Sequence, residues 1–579
     1  MKVLISGGGI AGPTLAYWLQ KSGHEVLLVE HSPQLRRGGY AIDFWGVGYD
    51  IAEKMGLIPR IRELGYQMRE VRFVDPHGRK RGGFAVDVFR RMTNGRFTSL
   101  RRSDLAATIY GAIDGKVESI FGDSVASIKD EGEHVRVGFD HAAPREVDLV
   151  VGADGLHSRV RQLAFGPEAS FERSLGYHVA AFEVEGYRPR DELVYISHGV
   201  PGRQISRFSL RDDKTLFLFI FRDEYLTTEA PSSEQERKAA LANVFADVGW
   251  EGPQILAAME NVNDIYFDRV SQVRMDRWTK GRTALIGDAA ACVSLLAGEG
   301  TGLAMAEAYV LAGELRDCGG DHISAFARYE ERMMPFLKRK QESAAKFASS
   351  FAPKSAFGIT FRNLVSRLLR IPPLADFFIG RDLHDDIQLP DYEFEKRTPR
   401  FQAYPSIRPD RVGRPRNVER TGGRMADNQD NPGIRVPPPL IYLLPLILGL
   451  LLDRRAHVPF LPRSVARGLG WSLLGGGVLL SRWFITTMRQ ADAPVRTDRP
   501  VPRLTTEGPF RYTRNPGYLC LAMIYAGIAV LRNSLWAILL LPLVLVVIQR
   551  EVIGREERYL KRTFGEEYLT YKHRVRRWV

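Results

Sequence analysis

The sequence is poor in cysteine and lacks the patterns by which cysteine builds structure. Its three cysteines, Cys292, Cys318 and Cys520, stand far apart among 579 residues, without a CxxC pair or a His/Cys spacing that suits a metal. These features exclude a disulfide framework and a zinc finger, so a reducing compartment and no bound metal are expected. A signal peptide is also missing, because only four apolar or small residues separate Met1-Lys2 from a glycine cluster. The protein is therefore expected to start in the cytosol.

The composition excludes a disordered or fibrous protein. Hydrophobic residues make up 45% and charged residues 26% of the chain, values typical of folded globular proteins, and the length suffices for several domains. The formal charge of +13 follows from 81 bases and 68 acids. It is compatible with nucleic acid, an anionic membrane surface or a basic host proteome. The mean hydropathy of −0.19 conceals an asymmetry, since nearly all long apolar stretches lie after Val436.

Periodicity divides the chain into three parts. Residues 1–395 alternate short Val/Ile/Leu strands with helical patterns, which predicts an α/β, Rossmann-like module. Aromatic-rich β stretches at about 171–276 predict an inserted, mainly β substrate domain. Residues 396–435 are rich in Pro, Arg, Gly, Asn and Asp and predict a basic linker. Because no aromatic residue after Tyr404 is interleaved for base stacking, anionic lipid is a better partner for this linker than nucleic acid.

The remainder, residues 436–579, predicts an all-α multi-span membrane domain. Its four apolar segments are each somewhat shorter than the roughly 20 residues of an upright span. These segments are 436–452, 469–485, 516–531 and 534–548. Basic residues in the linker and the tail predict both termini in the cytosol, although four arginines between the first two segments conflict with a simple four-span arrangement. Re-entrant segments, or a buried hydrophobic bundle, are the alternatives.

A glycine turn follows the first predicted strand. Residues 2–5 are a short apolar strand, GGGIAG occupies residues 7–12, and an apolar helical pattern runs over 13–21. This is the order of a dinucleotide-binding turn, in which glycines let the backbone approach a pyrophosphate at a helix N-terminus. Glu30 closes the second strand 18 residues after Gly12, the place of a carboxylate that binds a ribose hydroxyl. A glycine turn without ligand is the alternative.

Two later segments make the prediction specific. They read VGADGLHSRVR at residues 151–161 and GRTALIGDAA at residues 281–290. With the N-terminal glycines they resemble the three fingerprints of the para-hydroxybenzoate hydroxylase-like FAD monooxygenases, over roughly residues 1–390. The resemblance implies FAD and NAD(P)H as cofactors, with O2 activated on the reduced flavin while the protein positions substrate and excludes water. It also accounts for the lack of a Ser/His/Asp or metal constellation in the sequence.

The resemblance implies which residues hold these cofactors. They are Gly7, Gly9, Gly12, Glu30, Arg36, Arg102, Asp154, Gly155, Gly287, Asp288, Gly298 and Gly300. Glu30 is expected at the ADP half of FAD, and Asp288 at the ribityl chain, where a carboxylate accepts hydrogen bonds from hydroxyl groups. The helix after GEG at residues 298–300 is expected to aim its positive N-terminus at the reduced flavin. Surface arginines at 36 and 102 and a turn carboxylate at 288 are the structural alternatives.

One stretch departs from the family pattern. After GDAA many members have a His and then a Pro pair ahead of Gly-Gln-Gly, whereas this chain has Ala291, Ser294-Leu295 and GEG. These positions would line the reactive face of the flavin. Two chemistries on the bound flavin therefore stay open: monooxygenation, and dehydrogenation or reduction of a lipid.

The C-terminal part carries a second motif. EGPFRYTRNPGY occupies residues 507–518, and REERYL at 555–560 and FGEEY at 564–568 follow the last apolar segment. These runs resemble the isoprenylcysteine carboxyl methyltransferase and phospholipid methyltransferase-like families, with Arg-Asn-Pro in place of the Arg-His-Pro of many members. The resemblance implies that S-adenosylmethionine is bound. Its predicted contacts are Arg511, Arg514, Asn515, Tyr518, Glu556 and Glu557.

Side chains of both signs suit this cofactor, which has a carboxylate, an ammonium group and a ribose. Arg511 or Arg514 is expected to bind the carboxylate, and Glu556 or Glu557 to accept from the ammonium group or the ribose. Adjacent helical residues point about 100° apart, so only one of the two glutamates is expected at a given ligand atom. A solvated charged helix and arginines that anchor lipid headgroups are the alternatives.

Together the two parts predict a bifunctional enzyme. The flavin module is expected in the cytoplasm, where it hydroxylates a lipophilic aromatic or quinone-like substrate, and the membrane module is expected to methylate the new oxygen. A tether of about 40 residues would raise the effective concentration of the second site. In the alternative, only the flavin part is catalytic and the C-terminal part is a membrane anchor. A scaffold that has lost both activities is a further alternative.

Overall fold

The structure, a computed structural model of the chain, describes residues 1–35, 40–226, 231–347, 351–369, 375, 385, 387–394, 438–491 and 504–578. The chain divides into two units, Met1–Pro405 and Ser406–Val579. The predicted linker at 396–435 lies outside the described residues, and so does Arg36.

The first unit alternates strands with helices. Its strands are β1 (Lys2–Ser6), β2 (Glu25–Glu30), β3 (Ala41–Phe44), β4 (Glu70–Val74), β5 (Lys80–Ala85), β6 (Thr98–Arg101), β7 (Glu118–Phe121), β8 (Val125–Asp130), β9 (Val135–Phe139), β10 (Arg145–Val147), β11 (Leu149–Gly152), β12 (Glu172–Glu185), β13 (Val194–Val200), β14 (Arg203–Ser209), β15 (Lys214–Arg222), β16 (Tyr266–Val273), β17 (Thr279–Lys280) and β18 (Thr283–Leu285). Its helices are α1 (Ala11–Lys21), α2 (Gly46–Lys54), α3 (Ile58–Leu64), α4 (Asp87–Met92), α5 (Arg102–Gly111), α6 (Arg159–Phe165), α7 (Glu234–Phe245), α8 (Gly252–Met259), α9 (Asp288–Ala291), α10 (Gly300–Asp317), α11 (His322–Phe347) and α12 (Ala356–Leu368).

A six-stranded sheet carries the glycine turn, in the order β17-β18-β11-β1-β2-β7. β1 pairs in parallel with β2 and β11, and β18 continues the parallel pairing beyond β11. Residues 3–5 and 149–151 are fully buried, as expected for a parallel sheet covered on both faces. Because parallel strands end at the same edge, the loops after β1, β11 and β18 gather there. This edge brings the three sequence fingerprints together.

A second sheet of seven strands has the order β16-β12-β15-β14-β13-β4-β5. β4 pairs in parallel with β13, Glu70 opposite Val194, so this sheet includes strands outside the predicted substrate region at 171–276. β4 and β5 belong to the same sheet, and helices α7 and α8 lie within the range predicted as mainly β. Pairing between residues more than 100 positions apart leaves no local pattern in the sequence. Phe217, Phe219 and Phe221 of β15 pack against α7 and α8.

The second unit is helical, which confirms the all-α prediction for this part. Its helices are α13 (Pro438–Arg455), α14 (Arg463–Gln490), α15 (Pro516–Leu531), α16 (Leu535–Val547) and α17 (Gly554–Arg574), with a π-helix at Ile548–Ile553 between the last two. α15 and α16 form a tight hairpin with Asn533 at its tip, where φ is 50°. The side-chain Oδ1 of Asn533 accepts from the Phe460 and Leu461 amides (3.2 and 3.1 Å), which fixes the hairpin against the loop after α13.

One continuous helical stretch, Leu535–Arg574, is long and apolar enough to cross a membrane, and Pro516–Leu531 is a shorter apolar helix. Among the described residues no other helix meets the length and hydropathy requirement. The structure therefore offers one clear candidate span where the sequence predicts several.

Candidate functional site

Two glycines of the turn after β1 have close contacts that leave no room for a side chain. Gly7 has a φ of 116°, and a Cβ there would stand 2.4 Å from the Ala153 carbonyl oxygen. A Cβ on Gly12 would stand 1.9 Å from the carbonyl oxygen of Gly7. α1 begins here with neither a capping side chain nor an acidic residue in its first turn. Its N-terminal amides are therefore available to an anion such as a pyrophosphate.

Glu30 lies at the end of β2 and holds this turn in place. The Gly8 amide donates to Glu30 Oε2 (2.6 Å), and the Ser32 amide donates to Oε1 (2.9 Å). The carboxylate also lines the cavity in front of the turn. Each oxygen retains acceptor capacity for a ribose hydroxyl, because a carboxylate accepts about four hydrogen bonds.

Asp154 has a structural task at the start of α6. Its carboxylate accepts from the Ser158 hydroxyl and from the Val160 amide (3.0 Å), and burial raises its pKa. Arg161, which is fully buried, donates to the carbonyl oxygens of Leu156 (2.6 Å) and Ala289 (3.1 Å). The second fingerprint is thereby joined to the third. The role of Arg161 was missed from the sequence, although an arginine between Val160 and an apolar helical stretch was the available signal.

Asp288 is the first residue of α9 and lies beside the start of α10. A Cβ on Gly300 would stand 3.6 Å from Asp288 Oδ1. Burial raises the pKa of Asp288, and the positive charge of Arg102 opposes this rise. α10, like α1, begins without a capping side chain or an acidic residue in its first turn. Two uncapped helix N-termini and one carboxylate therefore meet at this point.

A buried pair behind Asp288 was missed from the sequence. Glu307 is 1% exposed, and its Oε2 accepts from the Gly287 amide (3.0 Å) and lies 3.0 Å from the Tyr329 hydroxyl. Burial raises the pKa of Glu307 well above its usual range. This carboxyl group fixes Gly287, whose φ is 64°. A glutamate among the alanines of a buried helix was the signal in the sequence.

The stretch that departs from the family pattern has its own partners. Lys340 Nζ lies 2.9 Å from Glu299 and 2.8 Å from Asp385, so the glutamate of GEG forms an ion pair with a lysine that it shares with a second carboxylate. The Ser294 hydroxyl accepts from the Leu296 amide (3.2 Å), and Leu295 lines the cavity. A charged residue at this position is therefore compatible with a buried site.

These elements surround a cavity of about 1870 Å³. The predicted cofactor residues that line it are Gly7, Gly9, Glu30, Arg102, Asp154, Gly155, Asp288, Gly298 and Gly300. Gly12 and Gly287 act instead through backbone geometry. A Cβ on Gly9 would meet only Arg102 Nη2 at 3.7 Å, so this face of the turn is open. This lining fits a dinucleotide such as FAD, because it combines an open glycine face, two uncapped helix N-termini and the carboxylates of Glu30 and Asp288.

The opposite wall comes from the seven-stranded sheet. Ala181 and Tyr266 of this sheet line the cavity, and Tyr40, which precedes β3, lies beside Tyr266 with ring centroids 5.7 Å apart. Burial raises the pKa of Tyr40 to about 12, which keeps its hydroxyl a hydrogen-bond donor. At the rim, His157 lies near Asp268 (3.5 Å) and Glu168 (2.9 Å). These carboxylates raise its pKa to about 9. His157 is therefore a cation at neutral pH.

A separate cluster of charges lies in the second unit, centred on Glu557. Arg577 donates to both of its oxygens (3.0 and 2.8 Å), Arg514 Nη1 lies at 3.4 Å, and Lys572 Nζ lies at 3.5 Å. The neighbouring Glu556 turns instead toward the Tyr518 hydroxyl. The two glutamates thus take different partners, as their 100° separation predicts.

The C-terminal tail completes this cluster, which the sequence did not reveal. Asn515 precedes α15 at the N-cap position but makes no capping bond; its side-chain amide donates to the Arg577 carbonyl oxygen (2.8 Å). The Thr513 hydroxyl donates to the same oxygen (3.2 Å), and the Arg514 amide donates to the Arg576 carbonyl (3.0 Å). The paired arginines near the C-terminus were the signal that could have been used.

Unpartnered atoms in this cluster test whether S-adenosylmethionine fits. Arg514 Nε is buried without a hydrogen bond, and Arg514 Nη1 contacts Glu557 only through the 3.4 Å ion pair. An arginine with free donors beside two carboxylates suits a ligand that has both a carboxylate and an ammonium group. Arg511 is exposed, so of the two predicted arginines Arg514 is the one that the fold brings to Glu557.

Comparison with known proteins gives two family matches. The model described as FAD binding domain matches residues 1–335, and the model described as phospholipid methyltransferase matches residues 465–567. The two resemblances predicted from the sequence are confirmed.

Individual relatives match the flavin part. An uncharacterised protein of Mycobacterium tuberculosis is 40% identical over 349 residues, which are 58% of this chain and 91% of that protein. A flavin-dependent monooxygenase of Legionella longbeachae is 33% identical over 371 residues, 61% of this chain and 90% of its own length. Tetracycline destructase Tet(55), whose crystal structure is known, is 32% identical in sequence to this chain and superposes with a TM-score of 0.59. The match covers 68% of this chain and 98% of the destructase chain. The FAD-binding fold is confirmed.

Proposed function

The chain belongs to the FAD binding domain family, together with flavin-dependent monooxygenases, and we propose that its first unit hydroxylates a lipophilic aromatic or quinone-like substrate with NAD(P)H and O2. One observation carries the proposal. The glycine turn, Glu30, Asp288 and the uncapped starts of α1 and α10 converge on a single cavity whose other wall is a β-sheet. Cofactor and substrate would thus meet inside the fold.

Each residue has a role that follows from its place. The turn at Gly7 and Gly9 and the N-terminus of α1 would hold the pyrophosphate of FAD, Glu30 the ribose and Asp288 the ribityl chain. Bound FAD would supply the oxidation chemistry, since its reduced form activates O2. The N-terminus of α10 would stabilise negative charge on the reduced ring. Leu295 and the sheet wall would exclude water and orient the substrate.

For the second unit we propose methylation of the hydroxylated product. Arg514 would bind the carboxylate of S-adenosylmethionine through its guanidinium group, whose buried Nε makes no hydrogen bond, and Glu556 would accept from the ammonium group or the ribose. The bound cofactor would supply the methyl group: its sulfonium–methyl bond would break as the methyl–oxygen bond forms, S-adenosylhomocysteine would be left, and the proton of the substrate hydroxyl group would pass to water. Hydroxylation creates the nucleophile that methylation consumes, which gives the two units a chemical order.

We propose that the second unit lies in the membrane with several spans, while the flavin unit and both termini lie in the cytoplasm. Besides the candidate span, leucines on three helices are about half or more exposed, among them Leu448 (51%), Leu479 (70%) and Leu543 (60%). Exposed leucine at this density is typical of a lipid-facing surface. The basic linker and tail support the orientation.

A second candidate keeps catalysis in the flavin unit alone, as an oxidoreductase with a membrane anchor. The ion pair between Glu557 and Arg577 favours it, because a carboxylate already neutralised by arginines attracts an ammonium group less strongly.

A double-label experiment tests both candidates. Membranes that contain the full chain receive NADPH, isotopically labelled O2, methyl-labelled S-adenosylmethionine and a lipid extract, and products are read by mass spectrometry. Both labels on one molecule are expected from the bifunctional enzyme. Glu556→Gln should abolish the methyl label and keep the oxygen label, whereas Glu567→Gln, exposed on the same helix, should keep both. An oxygen label without any methyl label supports the anchor, and NADPH consumption without oxygen incorporation contradicts monooxygenation.

A further inference from the structure

Helix α12 of the flavin unit turns an apolar face outward. Phe357, Phe361 and Leu364 are 76%, 37% and 39% exposed. Their spacing of four and three residues puts them on one face of the helix. The two phenyl rings are stacked with centroids 6.5 Å apart, so they form one continuous apolar stripe.

The inward face of the same helix is polar, the reverse of an ordinary surface helix. The Ser366 hydroxyl accepts from the Gly83 amide (2.8 Å), and Arg362 donates to Gln204 Oε1 (2.9 Å) and lies 4.3 Å from the centre of the Phe73 ring. Helix α12 is therefore held by hydrogen bonds and a cation–π contact. Its phenyl rings contribute little to that attachment, since they stay in water unless something covers them.

We propose that this stripe docks the flavin unit on the surface of a lipid bilayer. The proposal rests on membrane attachment of the second unit, which confines the flavin unit to the neighbourhood of a bilayer. Lys354 and Arg367 are exposed at the two ends of the stripe and would meet anionic headgroups. A short helix with aromatic and leucine side chains on one face and cations at its borders is typical of an interfacial helix. A bilayer is the apolar surface that the chain itself brings near.

The docking helix is joined to the wall of the flavin cavity. Ala352, four residues before α12, is buried in one cluster with Leu296, and Leu295 of the cavity wall packs against the same cluster. Arg362 of α12 also donates to the Phe351 carbonyl oxygen (3.0 Å). Helix α12 is therefore attached to the apolar cluster that also carries Leu295 of the cavity wall.

A fluorescent label on the full chain tests the proposal. In a Cys318→Ser background, Thr360→Cys places the dye NBD on the exposed face between the two phenylalanines and leaves the stripe intact. Ile323→Cys, 71% exposed on α11, is the matched control. The proteins are reconstituted in vesicles of phosphatidylcholine and phosphatidylglycerol, and retained FAD absorbance verifies the fold. Quenching by lipids with a spin label on the acyl chain is compared with quenching by aqueous iodide.

The label at 360 is expected to lose fluorescence to the spin-labelled lipid and to be protected from iodide, with the reverse at 323. Phe357→Asp combined with Phe361→Asp should make 360 behave like 323. Equal access of iodide to both labels overturns the proposal. Protection from iodide without quenching by lipid also overturns it, because protein then covers the stripe. Vesicle flotation separates the premises: a chain that does not float with the vesicles overturns membrane attachment itself, whereas one that floats with label 360 in water overturns only the docking.

Discussion

Alanine at Gly12 and alanine at Gly9 should damage the flavin site in different ways. At Gly12 the new Cβ would stand 1.9 Å from the Gly7 carbonyl oxygen, whereas carbon–oxygen contacts begin at about 3.3 Å. The start of α1 must then move away from the turn by roughly 1.4 Å, and overpacking of this kind costs about 1–3 kcal/mol. At Gly9 the Cβ would meet only Arg102 Nη2 at 3.7 Å, an ordinary contact. The flavin-free fold should accept it without cost.

Two measurements on the full chain separate these effects. Thermal unfolding of the flavin-free protein should show a melting temperature several degrees lower for Gly12→Ala and unchanged for Gly9→Ala, since each kcal/mol is worth about 2–4 °C in a domain of this order of size. Titration with FAD should show at least about tenfold weaker binding for Gly9→Ala, because a methyl group on the open face of the turn keeps the pyrophosphate at a distance.

The reasoning would be refuted by either of two results. Gly9→Ala that melts as low as Gly12→Ala would mean that the turn is packed more tightly at Gly9 than its 3.7 Å contact indicates. Gly9→Ala with unchanged FAD affinity would mean that no phosphate approaches this face.

Three further predictions concern ionisable groups. Asp268 and Glu168 raise the pKa of His157 from 6.5 to about 9, so its contribution to stability is complete below pH 6.5 and is lost as the pH rises through about 9. The difference in melting temperature between the wild type and His157→Gln should therefore shrink over that interval. A constant difference would contradict the ion pairs. Burial raises the pKa of Glu307. Above pH 4.5 the free energy of unfolding of the wild type should therefore fall by up to about 1.4 kcal/mol per pH unit relative to Glu307→Gln, until the folded-state pKa is passed. Denaturant unfolding at several pH values measures this difference, and parallel curves for the two proteins would show that the carboxyl group ionises freely. Arg514→Ala should weaken the binding of S-adenosylmethionine, measured by calorimetry, at least about tenfold. Arg511→Ala, a change at an exposed position, should leave this binding nearly unchanged. Equal losses of affinity would mean that the ligand lies outside the Glu557 cluster.

The sequence by itself determined the nucleotide-binding elements, because their requirements are local. A turn in which Gly7 and Gly12 meet backbone at 2.4 and 1.9 Å admits no other residue, so the motif is visible in the letters. The spacing to Glu30 is likewise local, since one helix and one strand separate it from the turn. The helical character of the second unit followed from apolar segments whose length and composition are also read along the chain. Both family resemblances rested on such short motifs and were confirmed.

Only the tertiary structure decided which distant residues meet. Glu307 and Tyr329 are brought behind Gly287, and Arg577 is brought to Glu557, by packing that no nearby residue announces. The pairing of β4 with β13 joins strands more than 100 residues apart. The outward phenyl rings of α12 are a further case. The spacing of apolar residues in that helix indicates an apolar face, but the polar attachment through Ser366 decides that this face points away from the protein. Periodicity records the preference of each side chain, whereas the direction in which a face points depends on what the rest of the chain places against it.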